Sequence, residues 1–126
     1  MSVYALVQGK SGLRVKESNP DTPAGDRFSG NGRMWRIAMP WGTMDGLADA
    51  IESTSGLDLP VVDRTGLTAR YDLNIGFVTQ ETLANDPWPS DVGVFDAVLG
   101  LGLKLEVQKA QVEVLVVDGV GKPSAN

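Results

Sequence analysis

The 126-residue sequence contains neither cysteine nor histidine. Without cysteine there is no disulfide, no thiolate nucleophile and no thiolate metal ligand. Without histidine there is no imidazole base, no Ser-His-Asp triad and no imidazole ligand for a transition metal. We therefore assign no catalytic, cofactor-binding or metal residue. Any bound divalent ion is expected to be a hard cation that binds weakly through oxygen ligands. Its donors would be Asp45, Asp49, Glu52 or the 18–32 loop.

Positive charge is also scarce, since 11 Lys and Arg residues face 16 Asp and Glu residues. The formal net charge is −5 and the sequence pI is about 4.5. Nucleic acid and anionic membranes repel such a surface, and no cluster of basic residues overcomes this repulsion. We therefore expect no nucleic-acid partner.

Long apolar runs are missing as well, and none approaches the roughly 20 residues that span a bilayer. No secretion signal is visible, because the chain runs from Met1 and Ser2 directly into a strand-like segment. This leaves open whether the chain is a trimmed piece of a longer protein. Its length, with 42% apolar and 21% charged residues, predicts a single globular domain over residues 1–126.

The predicted secondary structure is arranged around the stretch 57–77. It begins with a short apolar run, continues through turn residues at 63–66, and ends in strict alternation. Tyr71, Leu73, Ile75 and Phe77 fall on one face, and polar residues or glycine on the other. This period of two predicts a half-buried strand over 69–78. The shorter strand before it, 58–62, contains Pro60 and is expected at a sheet edge.

Helical spacing precedes and follows this stretch. The first helix is expected to begin after the N-cap Thr43 and to stop at Gly56. Its inward residues share a spacing of three or four: Met44, Leu47, Ala48 and Ile51. The second helix is predicted over 91–99, with Val94, Phe95, Val98 and either Leu99 or Leu101 facing inward.

The remaining segments are predicted from alternation and turn residues. Strands are expected at 3–8, 13–17, 33–39, 103–107 and 112–118, with Pro40 ending the third of these. Residues 18–32 and 79–90 are rich in turn formers and are predicted to be loops. A helix–strand–strand unit then occurs twice, at 44–77 and 91–118, each with a Leu-x-Leu segment after its helix. The fold class is α+β, a mostly antiparallel sheet with two helices in split β-α-β-like halves, plus an N-terminal strand pair.

Several segments together resemble a known family. They are Val3-Tyr-Ala-Leu-Val7, Leu13-Arg-Val-Lys-Glu17, Pro60-Val-Val-Asp63-Arg-Thr-Gly-Leu-Thr68-Ala-Arg-Tyr71-Asp72, Gly102-Leu-Lys-Leu-Glu106, Val112-Glu-Val-Leu-Val-Val-Asp118 and Lys122-Pro-Ser-Ala-Asn126. They are similar to a soil-associated bacterial family, abundant in acidobacteria and catalogued as a domain of unknown function. The resemblance covers essentially the whole chain and implies an extracytoplasmic setting, periplasmic or secreted, because members usually carry a secretion signal. It implies no catalytic residues.

Three functions remain open. The first is a non-catalytic interaction module of the cell envelope, since the helix–strand–strand unit resembles the short N-terminal domains of secretins and TonB-linked receptors. Its partner would be an envelope protein, and an edge strand such as 58–62 could accept a partner strand. The second is a binder of a small ligand, a glycan or a peptide, through Trp41 or Trp88. The third is a hydrolase that uses the carboxylate pairs Asp63 with Asp72 or Glu106 with Glu113.

Overall fold

Six strands and three helices surround one hydrophobic core in the computed structural model, which describes residues 2–21, 23 and 25–109. In chain order they are β1 (Ser2–Gln8), β2 (Arg27–Gly30), β3 (Met34–Gly42), α1 (Met44–Thr54), β4 (Val61–Asp63), β5 (Tyr71–Val78), α2 (Gln80–Asn85), α3 (Val94–Leu99) and β6 (Leu103–Lys109). The predicted α+β class is confirmed. The predicted strand 112–118 lies outside the described residues.

The first sheet has the order β4-β1-β6. Strand β1 runs parallel to β4 and antiparallel to β6, with Ser2 opposite Lys109 and Gln8 opposite Leu103. The predicted pairing of β1 with 13–17 is therefore wrong, because both edges of β1 are already occupied. Residues 13–17 instead contact the segment before β6 and the start of β5. The Arg14 amide donates to the Leu101 carbonyl, and the Asp72 amide donates to the Lys16 carbonyl, each at 2.9 Å.

The second sheet has the order β2-β3-β5 and is antiparallel throughout. The predicted alternation of the long strand is confirmed in β5, where its four large apolar residues are buried and the residues between them are exposed or half-buried. Because β4 and β5 lie in different sheets, the turn at 63–66 does not join a hairpin. It redirects the chain from one sheet to the other.

That turn has the predicted chemistry. Asp63 Oδ1 accepts hydrogen bonds from the Thr65 amide at 2.9 Å and from the Thr65 hydroxyl at 2.7 Å. Gly66 has a φ of 73°, which a residue with a Cβ adopts only with strain. The local sequence thus fixes the shape of the turn, whereas the sheet to which each flanking strand belongs is decided by distant partners.

Helix α1 forms as predicted. The Thr43 side chain accepts from the Gly46 amide at 3.0 Å, and Gly56 follows the C-cap with a φ of 76°. The predicted inward residues of α1 are all buried. The second predicted helix is α3, which is shorter than expected, with Val94 and Val98 buried and Phe95 half-buried. Of the two alternative inward residues, Leu101 packs against the core, whereas Leu99 is exposed.

Three boundaries differ from the prediction. The 18–32 segment contains β2, and the 79–90 segment contains α2, whose first turn is capped by the Thr79 side chain. Strand β3 continues past Pro40. The register shifts between Met39 and Gly42, so the sheet does not need a hydrogen bond from the amide that proline lacks.

The internal repeat is not reproduced at its Leu-x-Leu segments. Residues 57–59 are irregular, whereas 103–105 lie in β6. Strand β4 begins at Val61 rather than at 58, but it does lie at a sheet edge as predicted.

Candidate functional site

An open cleft lies at the end of the second sheet where the start of β3 pairs with the end of β5. The loop 86–92 forms its other wall. Its volume is about 390 Å³. We call it the Trp88 cleft. Its lining includes the exposed apolar side chains of Met34, Trp88 and Val92 and, among its polar groups, Arg33, Arg36 and Ser90. A shallower depression of about 300 Å³ shares Met34 and Arg36 with it and continues over Ser29 and Gly30 of β2.

The local sequence explains how the cleft is built. Asn31 Oδ1 accepts from the Arg33 and Met34 amides, each at 3.0 Å, and this turn delivers both side chains to the start of β3. On the opposite side, the Val78 amide donates to the Val92 carbonyl at 2.9 Å, which returns the loop to the end of β5. The loop is therefore anchored at its far end by backbone pairing.

Arg33 anchors the middle of the loop. Its guanidinium donates to the Asp86 carbonyl at 2.9 Å, forms an ion pair with the Asp86 carboxylate at 3.3 Å, and forms another with Asp91. The same guanidinium stacks over the Trp88 ring, 3.6 Å from its centroid. Asp91 also accepts from the Trp88 amide at 2.7 Å. The positive charge of Arg33 is thus compensated by two carboxylates, and Trp88 is held at both its ring and its backbone.

Exposed apolar side chains are concentrated in the Trp88 cleft. Among the described residues, six large apolar side chains are exposed, and three of them line the Trp88 cleft. Their exposed fractions are 58% for Trp88, 45% for Val92 and 37% for Met34. A group of exposed apolar side chains in a concave surface is typical of a binding site, whereas scattered ones need no explanation.

Arg36 supplies a second cation on the outer face of β3. Its Nη1 donates to Asn74 Oδ1 at 3.3 Å. Its guanidinium lies over Gly76, where a Cβ would stand 3.3 Å from Arg36 Nη2. No carboxylate in the described part of the chain forms an ion pair with Arg36. The cleft therefore contains one compensated and one uncompensated arginine.

The two tryptophans named from the sequence do not share a site. Trp88 lines the cleft, whereas Trp41 is half-buried at the end of β3, where its carbonyl accepts from Arg70 Nη1 at 2.9 Å. Trp88, which lies between Pro87 and Pro89, was predicted from the sequence as a candidate. The contributions of Arg33 and Arg36 were not, because the contact between Arg33 and Asp91 joins residues 58 positions apart.

The carboxylates named from the sequence are dispersed. Asp63 lies on β4 and Asp72 on β5, in different sheets. Glu106 is 3.8 Å from Lys104 Nζ and accepts from Gln108 at 2.8 Å. Glu113 lies outside the described residues. Within the described ranges, no three acidic side chains gather in a way that could hold a metal ion.

The edge of β4 is covered in part. Glu52 Oε1 of α1 accepts from the Val61 amide at 2.8 Å, and the preceding Pro60 has no amide to offer. Strand addition at 58–62 would therefore have to displace Glu52 first.

Outside the cleft, Tyr4 has a raised pKa. Burial raises the pKa of Tyr4 above its ordinary 10.0, and the Asp58 carboxylate raises it further, because the Tyr4 hydroxyl donates to Asp58 Oδ1 at 3.0 Å. Tyr4 also packs edge-on against Phe95, with 5.4 Å between ring centroids. Tyr4 therefore remains protonated at physiological pH.

No helix in the described ranges has the length and apolarity needed to cross a membrane. Comparison with curated proteins and with solved structures found no match. The likeness in topology to secretin and TonB-linked domains thus stays a prediction. A family model described as "Protein of unknown function (DUF3738)" matches residues 1–120. Since that match spans nearly the whole sequence, the chain belongs to the DUF3738 family.

Proposed function

We propose that this protein is a non-catalytic binding module that acts outside the cytoplasm and takes a small ligand, or a short segment of a larger one, in the Trp88 cleft. The observation that carries the proposal is an exposed tryptophan held in a fixed orientation beside a concave surface. The setting outside the cytoplasm is supported by the secretion signal that the family resemblance implies.

The fixed orientation of Trp88 favours binding. Prolines on both sides restrict its backbone, Asp91 accepts from its amide, and Arg33 stacks on its ring. An exposed side chain that is already ordered loses little conformational entropy when a ligand covers it. The tryptophan therefore offers a large contact area at low entropic cost.

The size of the cleft fits the same function. Its volume of about 390 Å³ falls in the range of roughly 300–1,000 Å³ that is usual for small-ligand sites. Its lining combines apolar walls with a few polar groups, which is the usual composition of such sites. A large flat protein interface would need neither feature.

Truncation of the tryptophan tests the proposal. Binding of a panel of short peptides and oligosaccharides is measured by calorimetry and by NMR shift mapping on the protein and on Trp88→Ala. We expect at least one ligand to shift resonances of residues 33–36 and 88–92 and to lose at least about tenfold in affinity in the variant.

The matched control is Phe28→Ala, which removes an exposed aromatic side chain that does not line the cleft. It should leave the affinity unchanged. Full affinity in Trp88→Ala, or shifts confined to residues far from the cleft, would show that the cleft is not the binding site. Recovery of the native protein in the cytosolic fraction of its cells would contradict the proposed setting.

A further inference from the structure

The two arginines of the Trp88 cleft differ in what they still have to offer a ligand. Arg33 has two carboxylate partners, a carbonyl acceptor and an aromatic ring, so its donors and its charge are used within the protein. Within the part of the chain that the structure describes, Arg36 has one long hydrogen bond, to the neutral side chain of Asn74. A guanidinium with an open donor fork is suited to bind a carboxylate through two parallel hydrogen bonds.

The position of Arg36 directs this fork toward the cleft. The side chain crosses from β3 over Gly76 of β5, and the absent side chain at Gly76 gives it room. Since Arg36 and Gly76 both line the cleft, an anion in the cleft meets the guanidinium without rearrangement of the sheet. The chain as a whole is acidic, so this local positive charge determines which end of a ligand enters here.

The other walls of the cleft indicate the chemistry of the rest of the ligand, beyond its anionic group. Met34, Val92 and Trp88 present apolar surface next to the guanidinium. The polar groups nearby are mostly engaged, since Asn31 Oδ1 accepts from two backbone amides and Asp91 accepts from Arg33 and from the Trp88 amide. A sugar, with a hydroxyl on almost every carbon, needs several open hydrogen-bonding groups. An apolar side chain needs none.

We propose that the ligand of the Trp88 cleft is the carboxyl-terminal end of a peptide whose last residue is apolar, with its carboxylate on Arg36 and its side chain against Trp88, Met34 and Val92. This inference rests on the proposed binding function and specifies its ligand class. The shallower depression over Ser29 and Gly30 extends from Arg36 along β2, and it gives the preceding peptide residues a path out of the cleft.

The test uses two matched probes, an acetylated tetrapeptide ending in leucyl-phenylalanine as the free acid and the same peptide as the carboxyl-terminal amide. Calorimetry is performed on the protein, on Arg36→Gln, on Arg27→Gln and on Trp88→Ala, and an oligoglucuronate serves as a further probe. The acid should bind at least about tenfold more tightly than the amide, as expected for a hydrogen bond to a charged group. This preference should disappear in Arg36→Gln and weaken as salt is added.

Arg27→Gln is the charge-matched control, because Arg27 is exposed on β2 and does not line the cleft. It should keep the preference for the acid. Equal binding of acid and amide, both lost in Trp88→Ala, would overturn the carboxylate inference while leaving the proposed binding function intact. Binding of an oligoglucuronate without binding of the peptide acid would also overturn it. No binding of any of these probes would overturn the carboxylate inference, and the proposed binding function would fall with it only if no member of the wider panel of peptides and oligosaccharides bound either.

Discussion

At the scale of single residues, Gly102 lies where the start of β6 passes close to the backbone of residues 12–14. It has a φ of 80°, and a Cβ there would lie 2.0 Å from the Gly12 carbonyl oxygen and 2.8 Å from the Arg14 amide nitrogen. Both obstacles are backbone atoms, so no side chain can move aside. Gly102→Ala should push residues 12–14 away from the start of β6 and cost more than about 3 kcal/mol of unfolding free energy, measured by urea denaturation.

Gly66 provides the control for this prediction. Its φ is similar, 73°, but nothing lies within 4 Å of the position of a Cβ. Gly66→Ala should therefore cost only the backbone strain, about 1 kcal/mol. If the two substitutions prove equally costly, the crowding at Gly12 does not set the requirement for glycine at position 102.

At the scale of elements, the contact between α1 and the edge of β4 both stabilises the fold and shields an edge amide from solvent and from other strands. Glu52 Oε1 occupies the Val61 amide, which would otherwise face outward from the edge strand. Glu52→Ala should cost about 1 kcal/mol and should speed hydrogen exchange of the Val61 amide. Asp49→Ala removes an exposed carboxylate from the same helix and should change neither quantity. Unchanged exchange at Val61 in Glu52→Ala would show that the carboxylate does not protect this edge.

The elements that the sequence predicts well are those whose signals are local. Helix α1 has its cap at Thr43, its apolar spacing and its stop at Gly56 within 14 residues. Strand β5 carries its alternation on its own. In contrast, β2 has four exposed residues and forms because β3 offers it an edge. The division into two sheets is likewise decided by long-range pairing, which periodicity does not encode.

The same distinction applies to the candidate site. Trp88 was predicted as a candidate because an aromatic side chain can serve as a platform for a small ligand. The cleft itself depends on Arg33 meeting Asp86 and Asp91, residues from opposite halves of the chain. No spacing rule connects an arginine in a turn before β3 with carboxylates in a loop after β5. The tryptophan was therefore predictable as a candidate, and its cationic neighbours were not.

At the scale of the whole molecule, the lack of histidine determines the pH profile. No side chain with an ordinary pKa titrates between pH 6 and 8, so the unfolding free energy should be nearly constant there. Above pH 10 it should fall in part through Tyr4, whose pKa is raised by burial and by Asp58. The unfolded chain then loses the phenolic proton first, so the stability contributed by Tyr4 is complete below pH 10 and lost as the pH rises through its folded-state pKa.

Urea denaturation from pH 6 to pH 11 measures this profile, with Tyr4→Phe as the comparison. The difference in stability between the two proteins should shift in favour of the phenylalanine variant above pH 10. Thermal melting with and without EDTA at pH 6 to 8 completes the test. A midpoint change above about 5 °C, roughly 1 kcal/mol for a domain of this size, would point to a bound metal or to an unrecognised titrating group.

The central position of β1 has a consequence for how the protein is made. One of its neighbours, β6, is roughly a hundred residues further along the chain, with Ser2 opposite Lys109. At about 5–20 residues per second, a ribosome delivers that neighbour on the order of 5–20 seconds after β1 has emerged. During this interval β1, with Val3, Ala5 and Leu6 destined for the core, is an unfinished apolar strand. We therefore expect the nascent chain to need chaperone protection until β6 arrives, and its first strand to be the place where cotranslational aggregation begins.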